Sequence, residues 1–151
     1  IGAGSSGPDT RWGEKNFVDL INRLNDNGNY FFYIQCGPEQ NEISKNIIKN
    51  VKKNNCIDLS KMNIRQIVPI LYLSDMYVGN DSFSHHITSQ CNKPSIVILL
   101  NTPKAYSDYS INHHRIIPAN AKLEELDHSS NYKADSISIE KVYNKIIELK
   151  N

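Results

Sequence analysis

Apolar positions along this chain switch repeatedly between helical spacing and short continuous runs. Residues 1–4 are apolar and Gly-rich, the end of a strand, and residues 5–13 are polar with Gly and Pro, a loop. Residues 14–27 place Phe17, Leu20, Ile21 and Leu24 on one helical face, with Gly28 at the stop. Residues 30–36 form a β-rich run that Gly37-Pro38 ends. Ile43, Ile47, Ile48 and Val51 predict a second amphipathic helix over 39–53, with Lys in its last turn. A short strand follows at 56–59. Asn63 then caps a helix through residue 73 that turns Ile64, Ile67, Ile70 and Leu71 inward. Pro69 is expected to kink it, because the ring removes a backbone donor. Residues 76–79 read as a strand, 80–82 as a turn and 84–92 as a helix. The run S-I-V-I-L-L at 95–100 is a strand buried on both faces. Residues 101–114 are polar loop, 115–117 an edge strand and 119–135 irregular. Ser138 caps a last helix carrying Ile139, Val142, Tyr143, Ile146 and Ile147 on one face.

Strands alternating with helices predict an α/β fold: a Rossmann-like parallel sheet flanked by helices. The 151 residues fit a single domain, 1–151, able to bury a core without staples. The opening strand has only Ile1 and Gly2 before its turn, so the expectation is a piece of a longer protein cut near a domain boundary. With 17 Lys+Arg against 16 Asp+Glu there is no basic footprint for nucleic acid and no polybasic arm for lipid. No apolar run approaches the ~20 residues of a bilayer span, and the N-terminus lacks a signal-peptide pattern. Cys36, Cys56 and Cys91 form no C-x-x-C, and the odd count suits reduced thiols in a cytoplasmic protein.

Ligands of open α/β sheets lie beyond the carboxyl ends of the strands. Three strand-to-helix loops fall there: residues 3–12, 37–42 and 79–86. The first holds Gly2-x-Gly4-x-x-Gly7, a dinucleotide fingerprint by letter, but Pro8, Asp9, Thr10 and Arg11 follow it where the fingerprint needs a helix. A loop of small residues that lets phosphate approach the backbone fits better; a plain Gly/Ser connection also fits. The third, V-G-N-D-S, enters a helix whose first N–H groups and dipole suit a diphosphate. Asp81 and Ser82 could equally serve only as caps. His86 lies near the first turn. Two histidine pairs, His85-His86 and His113-His114, raise the question of metal. Neighbours on a helix do not share a face, so His85 and His86 read as poor joint ligands, and the chain has no D-x-D triplet; no metal site is expected. A departing diphosphate would then rely on N–H dipoles and cationic side chains.

Taken in order, G-A-G-S-S-G-P-D-T-R-W, C-G-P-E-Q, D-L-S-K-M-N-I and Y-V-G-N-D-S-F-S-H-H-I followed by N-K-P-S-I-V-I-L resemble the C-terminal half of the bacterial heptosyltransferases, glycosyltransferase family 9, with the GT-B fold. The match runs from Ile1 to about Leu100. The resemblance implies the donor-binding half of a metal-independent, inverting transferase, without cofactor. Its substrate would be a nucleotide-diphospho-sugar, usually ADP-heptose. An N-terminal half would hold the acceptor, lipopolysaccharide core or a related envelope glycan, and supply the catalytic aspartate, so no catalytic base is expected in this chain. The implied location is the cytoplasm, peripheral at the inner membrane through that other half. Carried across residue by residue, Ser5 and Ser6 would contact the diphosphate. Glu39 would meet the ribose, with Glu42 the runner-up, and Met62 would lie beside adenine, unless it is a core methionine. Asp81 would bind sugar hydroxyls, the N–H groups of Ser82, Phe83 and Ser84 would hold phosphate, and His86 falls on the family's histidine.

Two departures bear on activity. Thr10 stands where the family usually has a donor-facing lysine, leaving Arg11 or Lys15 to replace its charge. Phe83 stands where the family has glycine, which would narrow the phosphate site or push the loop outward. In addition, Asn101-Thr102-Pro103 replaces the family's common G-P-T. The alternative reading is therefore a non-catalytic nucleotide-binding or interaction module of the same fold. A dinucleotide oxidoreductase is a third reading, which requires NAD at residues 2–7.

Overall fold

In the computed structural model, which describes residues 1–150, ten regular elements follow the predicted alternation. They are α1 (Glu14–Asp26), β1 (Phe32–Ile34), α2 (Asn41–Asn50), β2 (Cys56–Asp58), α3 (Ile64–Leu73), β3 (Tyr77–Asn80), α4 (Phe83–Gln90), β4 (Ser95–Ile98), β5 (His113–Ile116) and α5 (Ile139–Lys150). Gly13 opens α1 at φ 95°, a backbone that costs glycine little. Asn63 opens α3 through a reciprocal capping box with Gln66: its Oδ1 accepts from the Gln66 amide at 3.2 Å, and its own amide donates to Gln66 Oε1 at 3.0 Å. Ser138 Oγ accepts from the Lys141 amide at 3.3 Å at the start of α5.

The strands pair in parallel, β1 with β2 and β3 with β4 with β5. Residues 1–3 join the two groups. The Gly2 amide donates to the Val78 carbonyl at 2.9 Å, the Ala3 amide to Gln35 at 3.0 Å, and the Asn80 amide to Gly2 at 2.9 Å. Gly79 is where the two backbones touch: a Cβ there would lie 2.3 Å from the Gly2 carbonyl oxygen. Counting residues 1–3 as the first strand, the order is 3-2-1-4-5-6, that of a doubly wound nucleotide-binding sheet. Successive strand residues face opposite layers. Phe32 and Ile34 join the core under α1, α2 and α5, whereas Tyr33 joins Leu59, Ile67 and Leu71 on the other side. Trp12 anchors the larger core. It is fully buried, meets Phe17 edge-on at 5.1 Å, and donates Nε1–H to the Ile137 carbonyl at 2.9 Å.

Several boundaries differ from the sequence pattern. The helix expected from residue 39 begins at Asn41, because Pro38–Gln40 forms a 3-10 turn. Asn80, expected in a turn, completes β3 and is fully buried. The loop assigned to 101–114 contains a 3-10 turn at Lys104–Ser107, and β5 begins at His113 rather than 115. A histidine pair reads as polar loop, yet parallel pairing with the apolar β4 draws it into the sheet. Pro69 lies within α3, which runs on through it to Leu73. Among the described residues, no helix is long and apolar enough to cross a membrane.

Candidate nucleotide-binding cleft

The sheet order reverses between residues 1–3 and β3, and a cleft of about 1110 Å³ opens there. Its walls come from the loops after residues 1–3, β1 and β3 and from the start of α3. Of the residues singled out in the sequence, Ser5, Ser6, Met62, Asp81, Ser82, Phe83 and His86 line it. Thr10, Arg11, Glu39 and Ser84 do not.

The first loop is held by its own polar side chains. Ser5 is buried; its Oγ donates to the Gly7 carbonyl at 2.8 Å and meets Thr10 Oγ1 at 2.8 Å. Thr10 Oγ1 donates to Gly7 at 2.9 Å. Arg11 Nη2 donates to the Ser5 carbonyl at 3.2 Å, and that carbonyl also accepts from Gln40 Nε2 at 2.7 Å. Arg11 thus gives one N–H to the loop, because a bent backbone leaves carbonyls that need donors, while its buried Nε has no partner. Asn80 fixes the loop to the sheet: its Oδ1 accepts from the Trp12 amide at 2.9 Å and its Nδ2 donates to the Ala3 carbonyl at 2.8 Å. Ser6 stays exposed.

The loop after β3 is built the other way. Ser82 takes the N-cap position of α4 with extended backbone, but its side chain makes no capping bond. Its Oγ meets Tyr77 Oη at 3.0 Å, and Tyr77 Oη donates to the Asn80 carbonyl at 2.7 Å. Burial pushes the Tyr77 phenol far up, so it keeps its proton for that bond. The first N–H groups of α4 have no side-chain cap, and Ser82 and Phe83 at that end line the cleft. Phe83 packs against the Leu59, Ile67 and Leu71 cluster at the cleft wall. Ser84 Oγ is buried and unpartnered, away from the cleft. Glu39 is exposed on the 3-10 turn, and Glu42 pairs with Lys45 at 2.6 Å.

Sequence reasoning missed Gln40, which braces the first loop, and Arg65, an exposed cation on the cleft side of α3. Arg65 follows the Asn63 cap by two, in the first turn of α3. The histidines need a correction too. His85 and His86 were expected to diverge, but their ring centroids are 3.7 Å apart, and His113 from β5 meets His85 at 4.9 Å. Helix neighbours differ by about 100° in direction, which a third ring from another strand can bridge. Asp81 Oδ1 lies 2.5 Å from His85 Nε2 and 3.8 Å from His86 Nε2. Burial, with His85 beside it, holds the His86 imidazole below its ordinary value; burial does the same for His113. Cys36 also lines the cleft, but burial and nearby Asp58 push its thiol up to about 11, which removes it as a nucleophile.

The strand order, with its cleft at the reversal, defines a Rossmann-type doubly wound α/β fold. The sequence pattern of glycosyltransferase family 9 (heptosyltransferase) matches residues 1–135, and the chain belongs to that family. It is 25% identical to lipopolysaccharide heptosyltransferase 1 of Campylobacter coli over 112 residues, 72% of this chain and 33% of that protein. Its fold is similar to that of E. coli ADP-heptose lipopolysaccharide heptosyltransferase II, with a TM-score of 0.81 at 19% identity, covering 98% of this chain and 44% of that one. It is also similar to E. coli heptosyltransferase WaaC solved with ADP, with a TM-score of 0.77 at 19% identity, over 97% and 42% of the two chains. The chain thus spans less than half the length of these relatives.

Proposed function

We propose that this cleft binds the nucleotide diphosphate of an ADP-heptose-class donor, as the donor half of an inverting transferase acting on lipopolysaccharide core or a related envelope glycan. The observation that carries the reading is the uncapped start of α4, which opens into the cleft at the switch point of the sheet. Backbone amides of Ser82, Phe83 and Ser84 would hold the diphosphate and neutralise it as it leaves, with no divalent ion needed. Arg65, which lines the cleft where Arg11 does not, takes the charge-neutralising role. Met62, partly exposed on the cleft wall, offers adenine an apolar face. Asp81 remains for the sugar, and Ser6 for the diphosphate from the first loop. The acceptor and the base would come from an N-terminal half, so this chain alone binds donor and transfers nothing.

Calorimetric titration with ADP, UDP and GDP tests the reading, with ADP expected to bind best. Phe83→Pro removes one N–H at a position that tolerates proline, and should weaken ADP about tenfold. Phe83→Gly keeps the N–H and opens the wall, and should bind at least as well as the parent. Phe83 itself favours the second reading, an interaction module with lost chemistry. The absence of binding by all three nucleotides, to parent and Phe83→Gly alike, would establish that reading instead.

A further inference from the structure

We propose that His85, His86 and His113 form a binding site for a transition-metal cation of the zinc class, at the cleft wall that His86 lines. The argument starts from which ring nitrogens carry hydrogen. His85 is fully buried, and its Nε2 lies 2.5 Å from Asp81 Oδ1. A carboxylate only accepts, so His85 Nε2 carries the hydrogen, and in the neutral ring Nδ1 holds a lone pair. His113 is 6% exposed, and its Nδ1 lies 3.0 Å from the Ser107 carbonyl oxygen. A carbonyl also only accepts, so His113 Nδ1 carries the hydrogen and Nε2 holds the lone pair. Those two lone-pair nitrogens face each other at 3.4 Å.

Two facing lone pairs repel unless a proton or a metal cation lies between them, and a metal-binding titration separates the two. Their separation matches a tetrahedral metal: ligand nitrogens 2.0–2.1 Å from zinc stand about 3.3 Å apart. His86 is the third ring: one nitrogen from each of the three lies within 4.8 Å of the others, with Tyr109 Oη against His86 Nδ1 and Asp81 Oδ1 3.8 Å from its Nε2. Each buried ring is oriented from behind by an acceptor, a carboxylate for His85 and a backbone carbonyl for His113. That outer arrangement fixes tautomer and direction in metal-binding histidines. The Ser107 carbonyl is itself held by Arg115. Three imidazoles select zinc, cobalt, nickel or copper over magnesium. This cation is therefore different in kind from an oxygen-ligated ion on a nucleotide.

The test uses untagged chain, stripped by chelator and titrated with Co²⁺ and then Zn²⁺ without nucleotide. The expected result is one Co²⁺ per chain with the visible absorption of a low-coordinate nitrogen site, displaced by Zn²⁺. Both His113→Gln and His86→Ala should weaken binding more than tenfold. His86 is on the rim, so His86→Ala keeps the test decisive if the buried substitution fails to fold. Zn²⁺ should raise the melting temperature of the parent and leave that of His86→Ala unchanged. No visible band, or equal affinity in parent and His86→Ala, overturns the proposal. Because no nucleotide is present, either result leaves the donor reading to its own experiment.

Discussion

The loop over residues 4–12 and the loop over residues 81–83 leave neighbouring central strands and face the same cleft, yet they use polar residues in opposite ways. In the first, Ser5, Thr10 and Arg11 bond to the loop's own backbone. In the second, Ser82 turns back to Tyr77 and leaves the helix amides without a side-chain cap. The difference follows from secondary structure. An irregular nine-residue turn has many carbonyls and amides to satisfy, whereas a strand running straight into a helix has only the first-turn amides to spare. Polar side chains beside a cleft are thus scaffold in one wall, and backbone is the binding group in the other.

Four substitutions and one labelling experiment act on this contrast. Gly79→Ala has the largest expected effect. Its Cβ would lie 2.7 Å from Gly2 Cα as well as against the carbonyl, so the two central strands cannot both keep their places. A loss of about 3 kcal/mol in urea unfolding, or no folded protein, is expected. Asn80→Ala cuts the tie between the walls and strands two buried backbone groups, at roughly 2–3 kcal/mol by the same measurement. Arg11→Ala sharpens the contrast: a loss of about 1 kcal/mol in stability, with ADP affinity within twofold of the parent by calorimetry. A large drop in ADP affinity would move Arg11 from scaffold to contact. Arg65→Ala should do the reverse, leaving stability unchanged and weakening ADP about fivefold at low salt, less at high salt. The smallest effect is on Cys36. With its thiol pushed up to about 11, Cys36 in the native protein should resist alkylation at pH 8 and gain reactivity only as the pH rises. Mass-spectrometric labelling against pH reads this directly.

Much of the architecture was written in local pattern. The stripe Phe17, Leu20, Ile21, Leu24 gave α1 to within one residue, and S-I-V-I-L-L gave β4. Asn63 caps α3 as its residue type and place predicted, and the structure adds Gln66 as its reciprocal partner. These rest on neighbours a few residues apart. The site was half legible. The motif around Asp81 located the α4 wall because a strand-to-helix turn is a local event. Arg11 and Thr10 were placed in the first loop, but their direction was not readable, since that depends on which carbonyls the folded turn leaves bare.

What the chain alone determined is the alternation of elements, the family motifs and the loops that face the strand ends. Only the tertiary structure decided which polar groups point into the cleft. It set Asn80 as the buried bond between Trp12 and Ala3, and it brought His113 across from β5 to meet His85, 28 residues away. Hydrophobic spacing is encoded over one or two turns. The direction of a polar side chain is fixed by the unpaired partner nearest to it, and that partner can come from any part of the sequence.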